Sequence, residues 1–434
     1  MNNIGIINEK RINKSEWLTA NNAYLFIMYA FAFAVISNSS LAIITGPIIA
    51  MVMTRLFFTD KYYCVVALVV FANDSLGTVA LGRVSFYWLL IGLFLIRFLS
   101  RKKAIKISVK GLIYFSIVLL ILLQLMITNN IAFLFIFQTL SFVVFLLLTW
   151  ANIKNDGEKV KDFFFNVALT IFIIALSTVA FGGVVFMDGY TDRLGISGVG
   201  IGDPNFSSLI INAGIAILLA QNYRNMIIRS GMILVMIAAM VQTASITGIL
   251  VLLILLLCYF LVGLKLSKSV RNVFIVFLLV VMTTQYYNSL PLNSRNASVD
   301  LYISRIEYKL NAFNNKDYQA VTTNRSSNTE KNLKYYSNQS IGKQLLGGNS
   351  IPPAGLPLSH NTYADILLRF GLLGTIVLGF IMIKKLWKSF KLYHKTKENG
   401  EVFLLKVVFI LFSSTLSIYS GNTFALWYML LLVI

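Results

Sequence analysis

The chain is 434 residues long, 57% hydrophobic and only 12% charged, with a mean hydropathy of +0.76. No soluble core needs so apolar a composition, which points to a polytopic membrane protein. A net charge of +20 would suit nucleic acid, but the cations sit in short segments between apolar runs, so topology explains them and no nucleic-acid partner is expected.

The first sixteen residues are polar and carry Lys10, Arg11 and Lys14. They lack the apolar core and small-residue exit of a cleavable signal, so an uncleaved first span is expected. Apolar runs then recur near 20–37, 40–57, 61–80, 85–99, 111–127, 131–150, 163–186, 206–221, 230–243, 246–263, 272–287, 362–383, 402–419 and 420–434. The expected fold class is an all-α, polytopic transmembrane helical bundle of about 12 to 14 spans. Counting from inside, the cytoplasmic segments collect Arg55 and Lys61, the cluster from Arg97 to Lys110, Lys154 to Lys161, Arg224 and Arg229, Lys265 to Arg271, and the lysines from Lys384 to Lys406. The short outer connections hold Arg83, Arg193 and little else. This asymmetry predicts a cytoplasmic (inner) membrane protein with both termini inside and the 187–205 and 288–361 segments outside.

Four regions follow. Residues 1–186 are N-terminal transmembrane helices, and 187–287 are central ones with an outer loop carrying Arg193 and Asp203-Pro204-Asn205. Residues 288–361 form one large extracytoplasmic loop containing short helices, and 362–434 are the C-terminal transmembrane helices. Gly46-Pro47 is expected to kink the second run. Asn73-Asp74, in the outer part of the third, is either functional or a hydrogen bond between helices. Cys64 and Cys258 both lie in apolar runs, so no disulfide is expected. No nucleotide-binding glycine loop and no Cys/His cluster occurs, so neither a cofactor nor a metal is expected.

The 288–361 segment is rich in Asn, Ser, Lys and Tyr and too long for a plain connection. Within it Val299, Tyr302, Ile303, Ile306, Leu310 and Phe313 recur at helical spacing, with Arg305 and Lys309 on another face. This predicts an amphipathic helix, on the outer surface or packed over the bundle. The basic, aromatic run from Lys384 to Lys391 is expected to lie along the anionic inner leaflet.

Three elements fall on the outer face. Arg193-Leu194-Gly195 runs toward Gly202-Asp203-Pro204-Asn205, where glycines permit close backbone approach and Asp203 starts a helix. A helix start beside an arginine suits a pyrophosphate, although an ordinary turn with a solvated arginine reads the same. Arg325 precedes Leu345-Leu346-Gly347-Gly348 in the large loop. The third is Ser359-His360-Asn361, opening a span in which Asn361, Asp365 and Arg369 form one i, i+4 stripe. His360 at the water–lipid boundary is a general base or a capping group, and Asp365 with Arg369 is expected to form a self-neutralising pair.

Arg193-x-Gly with Asp203-Pro204-Asn205, Arg325 before Gly347-Gly348, and Ser359-His360-Asn361-x-Tyr363 before Gly371-x-x-Gly374 together resemble the O-antigen polymerase/O-antigen ligase family of integral-membrane glycosyltransferases. The order, spacing and sidedness agree over about residues 185–385. One feature departs: where the family often has Ser-Arg at an outer turn, this chain has Ser245-Ile246-Thr247. A donor-binding arginine would then be missing or supplied by Arg305 or Arg369.

The resemblance implies transfer of a glycan from an undecaprenyl-pyrophosphate-linked oligosaccharide at the outer face of the membrane, without a nucleotide sugar or an obligatory metal. It implies Arg193 and Arg325 on the pyrophosphate, His360 on the acceptor hydroxyl, and substrate contacts from Asp203, Asn205, Arg305, Asn361, Asp365 and Arg369. Further partners are the bilayer, a chain-length regulator and a flippase. Polymerase is favoured over ligase by association only, from Asn-, Ile- and Lys-rich usage. A transporter of lipid-linked oligosaccharide and a non-catalytic scaffold stay open.

Overall fold

The computed structural model describes residues 20–76, 85–100, 116, 119–120, 133–182, 184–187, 192–195, 203–221, 225–263, 297–317, 319–320, 324–349, 353, 355–396, 399–418 and 421–433. The expected spans at 111–127 and 272–287 and the position of Arg83 lie outside them, apart from three helical residues of the first.

The described residues are helical apart from turns and one hairpin. In chain order the helices are α1 (Ala20–Ser37), α2 (Ala42–Phe57), α3 (Tyr62–Leu76), α4 (Phe86–Ser100), α5 (Phe133–Ile153) and α6 (Gly157–Phe181). The strands β1 (Val184–Met187) and β2 (Asp192–Gly195) follow, then α7 (Pro204–Ala220), α8 (Met226–Gln242) and α9 (Ile246–Gly263). The 288–361 segment contributes α10 (Ala297–Asn314), α11 (Arg325–Ser337) and α12 (Ile341–Leu346). Last come α13 (Thr362–Thr396), α14 (Gly400–Ser413) and α15 (Gly421–Tyr428), which ends in a π-turn. Four helical stretches are long and apolar enough to cross a membrane, Ser39–Phe57, Ile136–Ile153, Gly157–Phe181 and Thr362–Thr396, and six shorter helices are also apolar.

One sequence expectation is corrected. The seventh apolar run does not stay helical to 186: Gly182, at φ +86, ends α6, and Val184–Met187 turns back as a strand. Val185 and Phe186 favour an extended chain once the left-handed glycine breaks the helix. α2 runs through Gly46-Pro47, with Pro47 inside the helix.

α7 is the axis of the bundle. Nearly all its side chains from Pro204 to Leu218 are buried, as an all-round apolar helix requires. It packs against α6, α8, α9 and α14. Close approach of α7 and α9 needs small residues: a Cβ on Gly248 would come within 2.6 Å of Ser208 Cβ. Beside this contact lies a buried polar seam, with Ser208 Oγ 3.0 Å from Thr243 Oγ1 and Asn212 Nδ2 donating to Gly248 O at 3.0 Å.

α13 is discontinuous. Gly371 adopts φ +65, ψ −172 inside it, a conformation open essentially to glycine alone. The break leaves carbonyls of the first half-helix without an intrahelical partner. The Gly347–Asn349 turn supplies donors: Gly348 N to Arg369 O at 2.7 Å, and Asn349 N and Nδ2 to Leu368 O at 3.3 and 3.0 Å. The two backbones touch, since a Cβ on Gly347 would meet Arg369 O at 2.2 Å and one on Gly371 would meet Leu345 O at 2.4 Å. The first half-helix, Thr362 to Phe370, is thereby fixed against the 341–349 segment.

Candidate active site

The site is built at the start of α13. Asn361 caps it, its Oδ1 accepting from Tyr363 N at 2.9 Å and Ala364 N at 3.2 Å, which satisfies two of the orphan donors of a helix start. Ser359, buried, accepts from Asn361 N at 3.1 Å and donates to Asp365 Oδ1 at 2.7 Å. Between these two anchored residues His360 is held at φ +52. A left-handed non-glycine residue costs about 1–3 kcal/mol and persists only where its surroundings impose it. Thr362 adds a further anchor, its N–H donating to Leu416 O at 3.0 Å.

α11 clamps the same turn from the other side. Thr329 Oγ1 donates to Ser359 O at 2.9 Å and Asn332 Nδ2 to Pro357 O at 2.9 Å. Arg325, the first residue of α11, donates through Nη1 to Thr415 O at 3.0 Å. Thr415 immediately precedes Leu416, the residue that receives Thr362, so Arg325 and the His360 turn rest on one short segment after α14.

The fourth wall is the start of α7. Asp203 caps it, accepting from Asn205 N at 2.7 Å, and Pro204 occupies the first helical position. Asn205, buried, accepts from Ser245 Oγ at 3.1 Å. The Ser245 turn therefore braces the Asp203 turn with a hydroxyl.

The charges of these elements act on one another. Arg325 feels Asp203 and Arg305, and burial pulls its guanidinium below the usual range, with Asp203 opposing and Arg305 adding to the fall. Burial likewise lowers His360, with the Arg325 charge adding to the fall and Asp203 opposing it. The imidazole is therefore neutral at physiological pH and able to take a proton. Arg325 thus links the charges: it feels Asp203 and Arg305, and His360 feels Arg325 and Asp203.

The remaining sequence-predicted residues divide. Arg193 lies on β2 opposite Phe186, in a hairpin that packs on α7 and α8, while its side chain lies outside the described positions. Asp365 and Arg369 are buried along α13, at 4% and 3% exposure. No direct ion contact joins them among the described pairs, but the Arg369 charge acts on Asp365 across one helical turn. Asp365 turns instead toward Ser359, whose hydroxyl is pinned one turn above it, and Arg369 lies one turn deeper, toward the break. Among the described residues no three of His, Cys, Asp and Glu gather as a cation site. Thr329 and the Thr415 carbonyl were missed by sequence reasoning, and Ser245 was noted only for the arginine that does not follow it. Nothing marks a carbonyl or a lone hydroxyl in a sequence, although Ser359 stood inside the motif.

Compared with known proteins, the chain matches no family model, no curated protein and no solved structure.

Proposed function

We propose that this protein is a membrane glycosyltransferase that polymerises glycan repeat units, with an undecaprenyl-pyrophosphate-linked oligosaccharide as donor and a lipid-linked sugar as acceptor, at the outer face of the cytoplasmic membrane. What supports the proposal is that α11 and the His360 turn rest on one segment, Arg325 on Thr415 O and Thr362 on Leu416 O, with the Asp203 charge acting on both Arg325 and His360 and that of Arg305 on Arg325. A diphosphate needs cations at the leaving oxygen. A sugar hydroxyl needs a base that is unprotonated at neutral pH.

In the proposed reaction the acceptor hydroxyl oxygen attacks the anomeric carbon of the donor, and the bond from that carbon to the diphosphate oxygen breaks. His360 takes the hydroxyl proton while Arg325 and Arg305 hold the departing diphosphate. Asp203 offsets the Arg325 charge and favours His360 as it charges. Asn361 and Asn205 fix the turns, and Asp365 holds the His360 turn through Ser359. Arg193 is placed with the diphosphate through the family resemblance alone.

Purified protein in liposomes with lipid-linked repeat units tests this. Wild type should yield a ladder of longer lipid-linked glycans. His360→Ala should slow extension by about 10²- to 10⁴-fold, and Arg325→Ala by about 10²- to 10³-fold. Undiminished extension by both variants would remove the catalytic assignment. Transfer only to a different, non-repeat acceptor would make the enzyme a ligase.

One observation favours a second reading. Discontinuous helices of the α13 kind also build substrate sites in transporters, so movement of lipid-linked oligosaccharide between leaflets, without glycan extension in the same liposomes, would support a transporter.

A further inference from the structure

α12 exposes, beside Lys343, apolar side chains that a helix facing only water has no reason to carry. Ile341 and Leu346 are 76% and 71% exposed, and Leu345 also faces outward. The surface does not stop there, because Leu372 and Leu373, just past the break in α13, are exposed as well and continue into Ile376. α12 and α13 therefore present one apolar wall.

The depth of this wall follows from α13 itself. Lys384 opens the basic stretch at which α13 leaves the hydrocarbon, and Gly371 stands thirteen residues before it. That is about 20 Å of helix in a hydrocarbon layer about 30 Å thick. Tilting the helix only brings Gly371 deeper. The end of α12, whose Leu345 carbonyl packs on Gly371, accordingly lies below the outer edge of the hydrocarbon.

Chain at that depth must satisfy its own polar backbone groups, and the turn that ends α12 does. Gly347 N donates to Lys343 O at 2.8 Å, Gly348 N to Arg369 O at 2.7 Å and Asn349 N to Leu368 O at 3.3 Å. Three successive donors that water would otherwise serve are taken up by protein.

We infer that α12 is a re-entrant membrane element whose exposed apolar residues lie against the acyl chains of the outer leaflet. The occupant of the wall is lipid, because the wall continues the face that α13 turns to the bilayer. The inference rests on α13 crossing a bilayer and not on the proposed chemistry. Its consequence is that the turn bracing the first half-helix, and with it His360, is held in place partly by lipid.

Site-directed spin labelling of the full-length protein in phospholipid nanodiscs tests it. With Cys64 and Cys258 replaced by alanine, labels would be placed singly by Leu346→Cys and Ile341→Cys. Phe380→Cys on α13 serves as the lipid reference and Lys331→Cys on α11 as the aqueous one. The expected result at both test positions is strong collision with oxygen and several-fold weaker collision with a water-soluble nickel chelate than at Lys331→Cys. Nickel access equal to that at Lys331→Cys would overturn the inference by placing α12 in water. Poor access to both reagents would also overturn it, since the wall would then be covered by protein. If a cysteine variant does not fold, Leu346→Trp in a chain whose five native tryptophans are replaced by phenylalanine gives the same decision: quenching by brominated lipids supports lipid contact and its absence rejects it.

Discussion

His360 carries the most specific residue-scale expectation, because its charge is set by neighbours of opposite sign. Burial and Arg325 lower its pKa while Asp203 raises it. Removing the Arg325 charge with Arg325→Met should therefore move the titration up, and removing the Asp203 charge with Asp203→Asn should move it further down. The chain has only two histidines, the second being His394, so histidine-labelled protein gives two resonances that His394→Gln assigns. Titration of His360 followed by NMR should place its midpoint below the ordinary value of about 6.5. A midpoint at or above that value, or one indifferent to both variants, would show that the three groups do not share a site. Because the folded protein resists protonating His360, the stability linked to this group is fully present above the ordinary histidine range. It falls as pH drops through that range, since the unfolded chain protonates first.

At the scale of elements, the break in α13 is the feature on which the site depends. Gly371 and Gly347 face each other at distances that leave no room for a Cβ, and both have positive φ. Gly371→Ala or Gly347→Ala should cost about 3 kcal/mol or more of stability, from backbone strain added to a clash with carbonyls. Gly379→Ala, on the same helix with open space at its Cβ position, should be neutral or slightly stabilising. Thermal unfolding in detergent checks this, and equal effects at Gly371 and Gly379 would contradict the break. The sequence showed Gly371-x-x-Gly374 and Gly347-Gly348 as separate short patterns. That one glycine pair is the contact surface of the other could not be read from it, because the contact joins segments more than twenty residues apart through backbone atoms. The amphipathic helix over 297–314 was legible from its period, and α10 does pack on α8. Its stripe is only partly covered, however, with Leu310 and Phe313 exposed. Helical spacing reports which residues share a face and not how much of that face finds a partner.

For the whole molecule, hydrophobic runs located most of the described helices, since burial in a bilayer demands length and apolarity that sequence displays directly. The hairpin was not legible, being four-residue strands at the end of an apolar run. The site was legible in part. His360 and Asp203 announced themselves as polar residues at helix starts, whereas Arg325 was a loop cation picked out by the resemblance, and its place beside the His360 turn emerges only with α11 folded there. Sidedness makes its own prediction. A membrane-impermeant thiol reagent added to whole cells with an accessible outer face should label Lys331→Cys on α11. Lys391→Cys in the basic part of α13 should react only after permeabilisation. The reverse pattern would put the candidate site on the wrong side for a lipid-linked donor displayed outside.

The most direct test of the central claim is the length distribution of lipid-linked and surface glycans, run on a gel, from cells lacking this protein and supplied with either the wild-type chain or His360→Ala. Loss of long chains with single repeat units remaining, restored by wild type and not by a normally inserted His360→Ala, is the expected result. Unchanged chain length in the deletion strain, or full restoration by His360→Ala, would contradict a polymerase working through this site.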